Sequence, residues 1–148
     1  MSKIIMINGH SVTFDVENPD ASDPHHAPFD EALVEKILNG VTVPNAPAML
    51  DMAANTDTFD FDVPYGNKWV DKGYIDVGYE YPDDGEADGG YVATLGLPTI
   101  EPEGHLYSDA VLVQTDIVQG DGKEGAREAL SLLLEALPEM FPGIEIER

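Results

Sequence analysis

The chain has no cysteine, which removes disulfide staples, thiolate nucleophiles and cysteine-bound zinc from consideration. It is also poor in cations: 7 Lys and Arg stand against 29 Asp and Glu, a formal net charge of -22 over 148 residues. Such a field repels nucleic acid and anionic membrane surfaces and draws in basic proteins, polyamines or metal cations. Direct DNA or RNA binding is therefore the first function to discard. No apolar run approaches the ~20 residues of a membrane helix. The opening MSKIIMINGH holds too short an apolar run for a secretory leader. The expectation is a cytoplasmic protein with no membrane association, in a host cytoplasm if the chain is phage-encoded.

Catalytic signatures are missing as well. There is no GxxxxGK[ST], no GxGxxG after a strand and no GxSxG. Carboxylate pairs of the glycosidase kind are so abundant among the acids that no one pair is singled out. His25 and His26 sit in a loop beside Asp20 and Asp23, yet adjacent histidines do not share one metal on a regular backbone, and no HExxH spacing supports them. His105, alone near Gly104 and Tyr107, reads as structural. Asp84, Glu86, Asp88 and Gly89 fall at positions 1, 3, 5 and 6 of an EF-hand-like loop, but position 12 is Leu95 where a bidentate glutamate belongs. A solvated hairpin tip is the simpler reading. The expectation is a non-enzymatic protein without cofactor or metal.

What the chain does contain is a core. Hydrophobic residues make up 43% of it and are spread along its length, enough for one acidic domain over residues 1–148. KIIMINGHSVTFDV reads as a hairpin, with Asn8-Gly9 supplying the positive-φ pair of a type I′ turn. Residues 17–28, with three prolines, form a loop leading to a helix in FDEALVEKILNG, where Leu33, Val34, Ile37 and Leu38 have helical spacing and Gly40 is the stop. NAPAMLDMAAN is a second, weaker helix with Asn45 as its N-cap. Period-two alternation follows in DTFDFDV, YIDVGYEY and YVATLGL, a three-strand meander, and DAVLVQTDIV is a more apolar and so more central strand. GKEGAREALSLLLEALPEM is a long helix limited by Pro138, and GIEIE a short closing strand. The summed expectation is α+β: an antiparallel or mixed β-sheet with two or three helices packed on one face, a two-layer sandwich.

The placement of the acids gives the functional expectation. Asp15, Glu17, Asp60, Asp62, Asp76 and Glu80 fall on the polar sides of strands whose other side is apolar, and Asp83, Asp84, Glu86 and Asp88 crowd the next connection. From Gly73 to Gly122 there is no Lys or Arg. If those strands share a sheet, these ten residues form one anionic surface for a partner. The relation of size to length gives a diameter of ~38 Å, and ~38 Å of duplex DNA carries ~22 charges. By area the protein is more dilute, at ~340 Å² per net charge, so imitation of DNA requires the acids to gather on one side.

The leading expectation is a non-enzymatic inhibitor that mimics nucleic-acid charge and blocks a basic nucleic-acid-binding protein or nuclease complex, in a phage-type anti-restriction or anti-CRISPR role. Tyr79, Tyr81 or Tyr91 would add specific contacts. The alternatives are an acidic phage assembly or generic protein-binding domain, and a halophilic cytosolic protein whose acidity serves solubility. The broad apolar stripe of the last helix is wide enough to cover the sheet or to join a second copy in a homodimer.

Overall fold

The structure is a computed structural model and describes residues 3–15, 31–53, 58–63, 72–80, 89–100, 106–120 and 122–148. Its main sheet has six strands: β1 (Lys3–Ile7), β2 (His10–Phe14), β4 (Phe59–Asp62), β5 (Lys72–Glu80), β6 (Gly90–Ile100) and β7 (Leu106–Thr115). They lie in the order β1-β2-β7-β6-β5-β4, each pair antiparallel. Three helices occur among the described residues: α1 (Glu31–Leu38), α2 (Ala46–Met52) and α3 (Gly122–Met140). A second, two-stranded sheet pairs β3 (Thr42–Val43) in parallel with β8 (Glu145–Ile146). The architecture is α+β, with a mostly antiparallel sheet.

Local sequence explains most of these elements. Asn8 and Gly9 take φ of 51° and 83°, the left-handed pair that a two-residue hairpin needs, and the register closes on Ile7 opposite His10. β4, β5, β6 and β7 then run as a continuous meander, with β7 returning to lie against β2. Phe59 faces Ile75, Ile75 faces Leu95, Leu95 faces Val113 and Val113 faces Phe14. One row of apolar side chains thus crosses the sheet from β4 to β2, all on the side that α3 covers.

α3 buries ten of its residues, including Leu130, Leu133 and Leu137, and leaves Glu124, Arg127, Glu128 and Glu135 exposed. Phe141, just beyond it, meets Phe14 edge-on at 5.0 Å, and both rings are fully buried. α3 covers the stretch expected from the sequence and ends at Met140, two residues past Pro138. A proline inside a helix costs about 3 kcal/mol. Here its ring is exposed, and Leu137, Met140 and Phe141 are buried around it. Asn45 is left-handed at φ 52° and makes no side-chain cap to α2; the N–H of Ala46 instead donates to the carbonyl of Glu147.

A single buried hydroxyl repairs the sheet where β6 and β7 part. Their ladder begins at Thr94 opposite Gln114, while Tyr91 is bridged to Val118 further on. Between these points the Ala93 N–H donates to Thr115 Oγ1 at 3.0 Å, so a side chain supplies the acceptor that the neighbouring strand does not.

Candidate functional site

The acids of β4 and β5 come together because an antiparallel pair preserves the two sides of its strands. Phe61 faces Gly73 on the α3 side, which places Asp60 opposite Tyr74 and Asp62 opposite Lys72 on the other. Further along β5, Asp76 lies opposite Thr94 and Glu80 opposite Gly90. Asp60, Asp62 and Glu80 are exposed and Asp76 half-buried. Asp60 and Asp62 lie ~6.8 Å apart along β4, Asp76 and Glu80 ~14 Å apart along β5, and the two strands ~4.8 Å apart. Asp62 forms an ion pair with Lys72 Nζ, so part of its charge is already answered.

Asp15 is exposed, and alternation after the buried Phe14 sets it on the side of the sheet that carries Asp60 and Asp76, but three strand spacings, ~14 Å, separate β2 from β5. The intervening strands carry Thr94 and Gln114 there, and the Tyr74 ring lies over Gly96. Glu17, Asp83, Asp84, Glu86 and Asp88 lie outside the described residues, as do His25, His26, His105 and Tyr81. Leu95, position 12 of the EF-hand-like spacing, is a fully buried residue of β6. No cluster of three or more metal-ligating side chains occurs among the described residues.

Acidity also extends to the helical layer. Glu124, Glu128, Glu135 and Glu139 are exposed on α3, Asp51 on α2, Glu145 in β8 and Glu147 just after it. Several cations are tied up internally: Lys3 with Glu35 at 2.7 Å, and Arg127 and Lys123 with Asp51 at 3.2 and 3.9 Å. Arg127 also donates through Nε to the carbonyl of Leu50 at 3.0 Å, which fastens α2 to α3.

Along the outer edge of β4 runs a cleft of about 510 Å³, with Asp60, Asp62 and Lys72 on one wall and Thr42 and Pro44 on the other. Asp60 also borders a neighbouring recess of about 340 Å³ lined by Met49, Met52 and Phe59. An apolar recess with a carboxylate at its rim suits a long basic side chain, whose methylene stem and charged head have opposite preferences. The sequence gives no sign of this feature, because Thr42 and Pro44 reach β4 only through the tertiary fold.

A second contact is equally silent in sequence. His10 Nδ1 lies 3.0 Å from Asp116 Oδ1, and Asp116 Oδ2 accepts the Ser11 N–H at 3.0 Å. One acid of the base-free stretch is thereby turned to holding β2 against the end of β7.

No protein-family model matches this chain. Neither a curated protein nor a solved structure is significantly similar to it.

Proposed function

We propose that the chain is a non-catalytic acidic inhibitor that occupies the basic surface of a nucleic-acid-binding protein or nuclease complex, as an anti-restriction or anti-CRISPR protein would. The observation that carries this reading is the juxtaposition of Asp60, Asp62, Asp76 and Glu80 on one face of the β4–β5 pair, beside a recess suited to Lys or Arg. Density decides how such imitation works. The nine residues of β5 span ~30 Å, a length over which duplex DNA holds ~18 charges. Four carboxylates do not reproduce a phosphate lattice. They act as local anchors within the long-range field of a chain with net charge -22, which steers a cationic partner toward them.

The test uses a panel of basic nucleases and DNA-binding proteins, with duplex DNA as competitor. Inhibition should weaken as salt rises and be displaced by DNA. The triple change Asp60→Asn, Asp76→Asn, Glu80→Gln should weaken it roughly tenfold or more. Inhibition unchanged in the triple variant would sink the assignment to this face.

The carboxylates on the outside of α3 favour a second reading, in which acidity serves hydration and solubility, as in a halophilic cytosolic or an assembly protein. Circular dichroism separates the two. A chain that folds only near molar salt supports the second reading, and one folded at low salt supports the first.

A further inference from the structure

The two edges of the main sheet are unequally protected. β4 shows Asp60 and Asp62 to solvent, the kind of charge that keeps an edge strand from pairing with another chain. β1, with the sequence KIIMI, has neither charge nor proline after Lys3. Ile4 and Met6 are 64% and 62% exposed, the most exposed large apolar side chains among the described residues.

Hydrogen-bond parity adds a second, independent observation. The Ser11 carbonyl accepts the N–H of Asp116, so the main-chain groups of Ser11 face β7 rather than β1. Its partner Met6 is then in a non-hydrogen-bonded pair, and alternation makes Ile4 opposite Thr13 another. Ile4 and Met6 therefore turn their N–H and C=O groups, together with exposed apolar side chains, toward the open edge.

We propose that β1 pairs with β1 of a second copy of this chain, antiparallel, with Ile5 on the twofold axis. Ile4 then lies opposite Met6 of the second copy and Met6 opposite its Ile4. The main-chain groups that face outward meet, and the four apolar side chains form one strip on the open side of a continuous sheet. Self-complementarity of this kind is what a twofold interface requires. Charge selects the same occupant. The first acid in the chain is Asp15, and the acidic β4 edge is five strand spacings, ~24 Å, away. β1 itself carries no acid and its one cation, Lys3, is paired with Glu35, so two copies meet here without a row of carboxylates between them and a strongly basic partner finds little on this strand to bind. Because each copy carries a net charge of -22, the dimer tightens as salt rises, opposite in sign to the salt response of an acidic inhibitor on a basic target. The two proposals fail independently.

Sedimentation velocity of the full chain, from about 0.1 M to about 1 M salt, should show a concentration-dependent dimer whose population grows with salt. Met6→Pro deletes only an outward N–H and should abolish the dimer while leaving the circular dichroism spectrum unchanged. Met6→Lys should weaken it at least about tenfold. Adding Ile4→Glu, which sets opposite charges across the interface in this register, should restore part of the loss. A chain that stays monomeric at every salt concentration overturns the proposal and leaves the edge for a strand of another protein. A dimer that survives both Met6→Pro and Met6→Lys overturns it as well, by locating the interface elsewhere.

Discussion

Replacing Gly73 with alanine tests how the acidic edge is held to the body of the sheet. Gly73 faces Phe61 across the β4–β5 pair, and a β-carbon placed there falls well inside van der Waals distance of Phe61 Cε2 and Cζ, with Leu97 Cδ2 3.0 Å away. The ring is 3% exposed and must shift by more than ~1 Å to restore normal contact. Overpacking of this kind costs about 1–3 kcal/mol, whereas replacing glycine by alanine gains about 0.4–1 kcal/mol by restricting the unfolded chain. The steric term should win, leaving a net loss of about 1–2 kcal/mol, or a fall in Tm of about 2–8 °C. Urea unfolding should show a lower midpoint with an unchanged slope. In a Phe61→Leu background, where the ring atoms are gone, the same change should cost markedly less. A Gly73→Ala protein as stable as its parent would refute the claim that β4 is seated by the Phe61 ring filling the space over Gly73.

Two further substitutions separate causes that resemble each other. Thr115→Val keeps shape but deprives the buried Ala93 N–H of its acceptor, so it should cost about 1–3 kcal/mol; Thr115→Ser, which keeps the hydroxyl, should lose less in the same urea titration. Gly9→Ala meets nothing within 4 Å at φ +83°, so its cost should be purely conformational, about 1–2 kcal/mol, with no rescue from changing any neighbour.

Much of the fold can be read from short-range pattern because the decisive forces there are local. Asn8-Gly9 announces its turn through the φ angles it tolerates, the leucines of α3 through their spacing, and the strands from Phe59 to Thr115 through alternation. The polar sides of β4 and β5 are legible for the same reason, since antiparallel neighbours keep side chains on the side their alternation sets. What is not legible depends on which strands meet. Nothing in residues 10–14 says that β7 will lie beside them, so the ~14 Å between Asp15 and the acids of β5 follows only from the strand order. The cleft between β4 and the 40–44 segment, and the clasp of His10 by Asp116, arise from pairings of the same non-local kind.

The β3–β8 pair joins Thr42 to Glu145 and Val43 to Ile146, about a hundred residues apart along the chain. Closing so long a loop carries an entropic cost that grows only slowly with length, but here the reward is a ladder of two residues. That pairing can persist only once α3 has docked on the sheet and carried the chain beyond Met140 to its place. The start of α2 depends in turn on the Glu147 carbonyl that accepts the Ala46 N–H. The β3–β8–α2 corner, which forms one wall of the cleft beside Asp60, should therefore close after α3 has docked, and its amides should exchange with solvent faster than those at the centre of the main sheet.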